Sequence, residues 1–291
     1  MKKFTAIFII LVIVLTGILF RNSLLEIWTK WSLKLPEFEK DITLRIADEV
    51  SKQISAPPPI QSQSESQNAS LTRSGVIKWT NDQRAQNNLP SLRESAILDT
   101  MANMKLNDMF DKQYFAHISP SGIGVGDLAK SSGYDFLIIG ENLALGNFEN
   151  DKALVQAWMN SEGHRANILN NKFAEIGVAV GKGNYDGKTT WIAVQHFGLP
   201  LSTCTEPNKQ LKAGIEANQA KINQMQAELD LLKTDIETMR PRRDMDLYNS
   251  RIEEYNNLIS QYNLLVRETK DLISDYNKEV SDFNACATGI R

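Results

Sequence analysis

The last third of the chain carries the pattern that most restricts what this sequence can fold into. From Leu211 to Phe283, apolar side chains recur alternately three and four residues apart, with an interruption around Pro241. This spacing places one apolar stripe along a helix and is typical of coiled coils. Because proline breaks helical hydrogen bonding, we expect two helices over residues 204–287 that fold back as an antiparallel coiled-coil hairpin. The same stripe would also allow a homo-oligomer.

The two cysteines flank this region. Cys204 precedes the first predicted helix and Cys286 follows the second. Folding at Pro241 brings them to the same end, where a disulfide would stabilise the chain by roughly 4 kcal/mol in the chain-entropy model. The alternative is a disulfide between two copies of a dimeric coiled coil. Either pairing requires an oxidising compartment.

The amino terminus indicates the compartment. Residues 4–20 form an unbroken apolar run after two lysines, at the short end of what spans a bilayer. A secretory signal peptide is the alternative, although no small-x-small cleavage site follows the run. We expect residues 1–21 to be a single-pass membrane anchor, with the remainder of the chain outside the cytoplasm. Secretion after signal cleavage is the second localisation.

Residues 22–70 are predicted to connect the anchor to the next domain. Helical spacing of apolar side chains predicts a juxtamembrane helix in the first part. The second part, from Ser55 to Ser70, is rich in proline, serine and glutamine. It has too few apolar side chains to form a core, so we predict a disordered linker.

Residues 71–200 are predicted to form an α/β domain. Segments with helical periodicity precede two strand-like runs, which are separated by Asp186-Gly187, a strong hairpin signal. The net charge of −3 gives no support for nucleic-acid binding, which requires a basic surface. No Gly-x-Ser-x-Gly motif occurs, so the sequence identifies no catalytic nucleophile.

All three histidines lie in this predicted domain. His117 lies where a predicted helix meets a loop, and His164 follows Glu162 near the end of another helix. Imidazole titrates near neutral pH and is the commonest metal ligand. Glu141 lies beside a strongly apolar stretch, where an unpaired carboxylate would be costly. His196, on a predicted strand, is expected to be structural or at the surface.

Three segments in this order resemble the CAP superfamily: YFAHISPSG, GENLALG and AWMNSEGHRANILN. The family includes cysteine-rich secretory proteins, antigen 5, plant pathogenesis-related 1 proteins and bacterial SCP-like extracellular proteins. The resemblance covers the region from Gly75 to Gly198 and points to the bacterial branch. It implies a three-layer α-β-α sandwich with a shallow cleft.

In animal members that cleft holds two histidines and two glutamates, sometimes around a divalent ion. His117 matches the first histidine, and Glu141 matches the glutamate of the GENLA motif. The second glutamate position falls on Ser161, next to Glu162, and the second histidine position falls on Ile192. The set of four is therefore incomplete in this chain.

The bacterial segment supplies His164 instead, so the cleft candidates are His117, Glu141, His164 and Glu162. The resemblance implies a divalent metal such as zinc on His117, Glu141 and His164, since three protein ligands and an open position suit catalytic zinc. The favoured function is a membrane-anchored binding module for a lipid, glycan or protein of the cell envelope. The alternatives are a metal-assisted, peptidase-like hydrolase and a structural envelope protein that acts through its coiled coil.

Overall fold

The structure is a computed structural model that describes residues 35–36, 52–62, 66–239 and 245–288. The predicted membrane segment, residues 4–20, lies outside the described residues, as does the break at Pro241. Among the helices of the described part, none is long and apolar enough to cross a membrane. The described residues divide into two compact units, the first within residues 52–206 and 280–288 and the second within residues 207–279 together with 35–36.

The first unit combines a mixed sheet with five helices among its described residues. Its elements in chain order are β1 (Gln53–Ser55), β2 (Ile60–Gln61), α1 (Arg73–Gln86), β3 (Arg93–Glu94), α2 (Ala96–Lys112), α3 (Val125–Ser131), β4 (Phe136–Leu145), α4 (Asp151–Asn160), α5 (Glu162–Ile168), β5 (Glu175–Tyr185) and β6 (Lys188–Pro200). A 3-10 turn, Leu201–Thr203, follows the last strand.

The sheet is built around three long antiparallel strands in the order β4-β6-β5. The short strands β1 and β2 pair in parallel with the outer edge of β4, and β3 pairs in parallel with β5. The predicted hairpin is confirmed, because Asp186 and Gly187 join β5 to β6 with φ angles of 49° and 72°. Positive φ at both turn residues suits the twist of a two-residue hairpin.

Helices cover both faces of the sheet, so this unit has the mixed α/β architecture that was predicted. On one face, Val76 of α1 and Trp158 of α4 pack into a cluster with Phe197 of β6. On the other face, α2 packs against Leu143 of β4 and Val194 of β6. Strand side chains alternate between the two faces, which is why neighbouring strand residues enter different clusters.

Residues 52–62 are ordered, so the disordered linker predicted from Ser55 to Ser70 is wrong for residues 55–62. β1 and β2 lie within that segment and pair with β4 at Ile138–Gly140 and Ala144–Leu145. The amino-acid composition does not indicate this order, because none of the side chains in the segment is buried. The segment is held by backbone pairing, which does not depend on side-chain type. We call residues 52–62 the strap.

A buried arginine joins α1 to the segment that follows α5. The Arg84 side chain is fully buried and donates to the carbonyl oxygens of Pro90, Ile168 and Asn170 at 2.8–2.9 Å. A guanidinium in such a position is costly to bury unless its N–H groups find acceptors. Arg84 thereby fixes the end of α5, the helix that carries His164.

The second unit contains the two predicted C-terminal helices, α6 (Lys209–Thr238) and the larger part of α7 (Met245–Ala287). Eight members of the apolar stripe are buried where the helices meet, namely Ile222, Met225, Leu229, Leu232, Ile236, Tyr255, Tyr262 and Val266. The Asn208 backbone N–H donates to Glu279 at 2.7 Å, and Asp235 pairs with Arg251 at 3.2 Å. The start of α6 therefore lies beside the later part of α7, which makes the pair antiparallel.

The end of α7 belongs to the first unit and is fixed there by a disulfide. Cys204 and Cys286 are bonded within one chain across a sequence separation of 82 residues. Phe283 and Ala287 of the same helix end join the apolar cluster that contains Trp158. Of the two pairings left open by the sequence, the structure forms the intramolecular one.

We predict that the double variant Cys204→Ser, Cys286→Ser unfolds more easily than the oxidised protein. Removing a cross-link of this loop length should cost roughly 4 kcal/mol, mainly by freeing the unfolded chain. Urea unfolding of the full chain, followed by circular dichroism, measures the difference. Reduced wild-type protein is the matched control and should behave like the variant; equal midpoints for the oxidised protein and the variant would contradict the prediction.

Candidate functional site

A fully buried carboxylate on β4 is the centre of the candidate site. Glu141 is 0% exposed and lies directly opposite His196 in the antiparallel pairing of β4 with β6. Directly opposed residues project from the same face of a sheet, with Cβ atoms about 5 Å apart. The His196 Nε2 atom lies 2.8 Å from Oε2 of Glu141.

The loop after α2 brings a second imidazole to the same carboxylate. α2 is followed by its C-cap residue Gln113, whose positive φ of 52° turns the chain away from the helix axis. The buried Lys105 donates from Nζ to the carbonyl oxygen of His117 at 2.7 Å and so fixes this loop against α2. His117 Nδ1 then lies 2.6 Å from Oε1 of Glu141.

These contacts keep Glu141 ionised. Burial alone would raise the pKa of its carboxyl, but hydrogen bonds from His117 and His196, with the charges of His196 and Lys105, lower the pKa to about 2. Hydrogen bonds and opposite charges favour the charged form of a carboxyl, whereas desolvation opposes it. Both carboxylate oxygens therefore act as acceptors.

The strap completes the hydrogen bonding of His117. Its Nε2 atom lies 2.6 Å from the carbonyl oxygen of Pro57. A carbonyl oxygen only accepts, and the ionised Glu141 also only accepts, so both ring nitrogens of His117 carry hydrogens. His117 is accordingly an imidazolium that joins Glu141 to the strap, and its side chain is 15% exposed.

His164 lies near this group without joining its hydrogen bonds. It is fully buried in α5, with Nδ1 2.8 Å from Oγ of Ser161 and no partner for Nε2 among the described residues. Burial is the larger cause that lowers the pKa of His164, and the nearby charge of His117 is the second; together they lower it to about 4. His164 is therefore neutral at pH 7.

A chain of amides lies on the other face of β4. Asn142 donates to Gln195 at 3.1 Å and to the backbone oxygen of His164 at 3.3 Å. Asn167 donates to the side chain of Asn142 at 2.9 Å and to the backbone oxygen of Ser55 at 3.3 Å. Neighbouring residues of the GENLA motif thus act on opposite faces of the sheet. Asn142 is hydrogen-bonded to α5, and Glu141 is hydrogen-bonded to His117 and His196.

Comparison with known proteins identifies the domain that contains this arrangement. Residues 78–197 match the family model described as the Cysteine-rich secretory protein family, CAP. The chain contains a CAP domain. Its site residues His117, Glu141 and His196 all lie inside the matched range.

Two Bacillus subtilis (strain 168) proteins are similar to this CAP domain. The uncharacterized protein YkwD is 44% identical over 103 residues, which is 35% of this chain and 40% of YkwD. The uncharacterized membrane protein YlbC is 32% identical over 110 residues, 38% of this chain and 32% of YlbC. The chain therefore spans well under half the length of either relative.

Solved structures include a further similar protein. The extracellular protein containing an SCP domain from Bacillus anthracis str. Ames is 34% identical, with a TM-score of 0.37. The match covers 43% of this chain and 39% of that one.

The structure brings only some of the predicted CAP-domain site residues together. His117 and Glu141 are in direct contact, as the resemblance implied. His196, predicted to be structural or at the surface, is fully buried and is the second partner of Glu141. The sequence signal that could have found it is the strand register, since pairing Gly140 with Phe197 places Glu141 opposite His196. Glu162 begins α5 with an exposed side chain and is not part of the group.

The three expected metal ligands, His117, Glu141 and His164, do not converge on one point. Nδ1 of His117 points at Glu141 rather than at a shared centre, and both carboxylate oxygens already accept imidazole hydrogens. Among the described residues, no group of three or more His, Cys, Asp or Glu side chains is placed to hold a metal ion. As folded, these residues do not fit zinc, whose ligand atoms must lie about 2.0–2.2 Å from the ion.

We predict that Glu141→Gln destabilises the full chain by about 3 kcal/mol at pH 7. The amide nitrogen of glutamine would face an imidazole N–H, and a buried histidine charge would lose its partner. Urea unfolding at neutral pH measures the loss. Glu162→Gln removes an exposed carboxylate nearby and is the matched control; equal midpoints for the two variants would contradict the assigned role of Glu141.

We also predict that His164 weakens the fold in mild acid. Its folded pKa of about 4 lies below the ordinary value of 6.5. Between these values the unfolded chain binds a proton that the folded chain does not, so stability falls as the pH falls, by up to about 1.4 kcal/mol per pH unit.

The measurement is urea unfolding of wild type and His164→Gln from pH 7 to pH 4.5. Other titrating groups contribute to both proteins, so the difference between the two curves isolates His164. The advantage of wild type over the variant should shrink across this range. A difference that stays constant with pH would rule out the buried neutral imidazole.

Proposed function

We propose that this protein is a membrane-anchored extracytoplasmic binding module. In this proposal the CAP domain binds an envelope ligand without chemical turnover. The apolar run at residues 4–20 supports the anchor, and the Cys204–Cys286 disulfide supports an oxidising location. The similar protein YlbC is described as a membrane protein.

The hydrogen bonding of Glu141 and His117 is the observation that carries the proposal. A general base must reach the proton that it removes, and it works best with a pKa near the operating pH. Glu141 is fully buried and its pKa is about 2. Both of its oxygens accept from imidazoles, and both nitrogens of His117 face acceptors. The donor of this group that faces away from Glu141 is Nε2–H of His117, which binds the carbonyl oxygen of Pro57 and would suit a ligand carbonyl oxygen in its place.

The C-terminal helices contribute a second part of the proposal. We infer that α6 and α7 act as a coiled-coil arm, either as a spacer or as a docking element for an envelope partner. The heptad spacing and the antiparallel apolar stripe support this.

A paired assay of turnover and binding tests the proposal. Full-length wild type, Glu141→Gln and Glu162→Gln are incubated with casein and a p-nitrophenyl ester, with and without zinc. The same proteins are sedimented with purified peptidoglycan and with phosphatidylglycerol vesicles, and passed over an immobilised proline-rich peptide. Because Glu141 is buried and only weakly basic, we expect no turnover above the blank. Retention on one ligand should depend on Glu141.

Turnover that is lost in Glu141→Gln and kept in Glu162→Gln would overturn binding in favour of the hydrolase alternative. Equal retention of all three proteins on every ligand would show that the Glu141 site takes no part in ligand binding. His117→Gln, which keeps an N–H donor without the charge, provides a second variant if Glu141→Gln does not fold.

A further inference from the structure

The strap crosses the candidate site as an extended peptide. Residues 53–55 pair with Ile138–Gly140, and residues 60–61 pair with Ala144–Leu145. Between these two pairings, Ala56 to Pro59 pass the stretch of β4 that contains Glu141. Prolines cannot donate to a strand ladder, so this part of the strap meets the site through carbonyl oxygens.

Two side chains of the CAP domain donate hydrogen bonds to backbone carbonyl oxygens of the strap. His117 Nε2 donates to Pro57 at 2.6 Å, and Asn167 Nδ2 donates to Ser55 at 3.3 Å. The bond from His117 is charge-assisted because its imidazole is cationic, and such bonds are stronger than neutral ones. These donors recognise backbone oxygens two residues apart in an extended chain.

A glycine on α5 leaves room for the proline ring. A Cβ atom added to Gly163 would lie 2.5 Å from Cβ of Pro57, and its three nearest atoms all belong to Pro57. Glycine at position 163 therefore lets α5 approach the strap closely at Pro57.

The strap is held with little burial of its own side chains. None of them is buried, and Ile54 is 56% exposed. Affinity for such a segment comes from main-chain hydrogen bonds at a sheet edge, the mode called β-strand addition. Another extended peptide with a proline at the same place would make the same contacts.

We propose that the outer edge of β4, with His117, Asn167 and Gly163, is a binding site for an extended, proline-containing peptide of a partner protein. The strap is the ligand that this chain supplies to itself and that the partner peptide replaces. This inference rests on the proposed binding function and names its ligand class.

Gly163→Ala in the full chain tests whether the strap can be released. The added methyl meets only Pro57, and alanine is favourable in a helix. Hydrogen exchange of the strap amides should become about tenfold faster, because local opening sets the exchange rate. Gly214→Ala, in α6 with open space around it, is the matched control and should exchange like wild type. Equal exchange in Gly163→Ala and Gly214→Ala overturns the proposal.

A labelled peptide of residues 52–62, KQISAPPPIQS, then tests binding by fluorescence anisotropy. In wild type the tethered strap competes at millimolar effective concentration, so the peptide should bind weakly. A second peptide carrying Pro57→Gly lacks the ring that meets the new methyl. It should bind Gly163→Ala at least about tenfold more tightly than it binds wild type, since tenfold requires only 1.4 kcal/mol. The original peptide should not bind that variant.

The remaining outcomes separate this inference from the proposed function. If the strap is released but neither peptide binds, the peptide site is overturned and binding of another ligand is unaffected. If the Pro57→Gly peptide binds and mass spectrometry recovers it cleaved, the site stands and binding without turnover is overturned. If light scattering finds wild type dimeric and Gly163→Ala monomeric, the strap exchanges between copies and the partner-peptide proposal is overturned.

Discussion

The buried charge of Glu141 is the constraint on which the centre of the CAP domain depends. A carboxylate without access to water must find hydrogen-bond donors, or it will be protonated or destabilise the fold. Here the donors come from β6 and from the loop after α2, and neither is close to Glu141 in sequence. Satisfying this one side chain therefore fixes the register of β4 with β6 and the position of His117.

The same requirement determines the chemistry of the cleft. Glu141 is buried, its pKa is about 2, and both of its oxygens accept from imidazoles, one of them from Nδ1 of His117. The outward nitrogen of His117 then becomes a donor, and a strap carbonyl accepts from it. In this structure the carbonyl oxygen that meets His117 belongs to Pro57 of the same chain.

Several parts of the protein could be predicted from residue order alone because their signals are local. The heptad stripe over Leu211 to Phe283 predicts two helices, and the structure buries that stripe between an antiparallel pair. Asp186-Gly187 predicts a hairpin turn, and the turn is there. His117 and Glu141 were found through the resemblance to CAP proteins, whose signature segments carry them.

Other parts depended on pairings between distant residues. His196 has no distinctive local context, and it reaches Glu141 only because β4 and β6 pair in one register. The strap has the composition of a linker, and it becomes ordered only because the edge of β4 offers unpaired backbone groups.

The sequence by itself determined the helical tail, the α/β class of the central domain and the two residues of the site that lie in family segments. Tertiary structure decided which groups those residues meet and what is left free to act. The physical reason is that helix periodicity and turns depend on near neighbours, whereas hydrogen bonding of a buried charge and pairing at a sheet edge depend on residues brought together by folding.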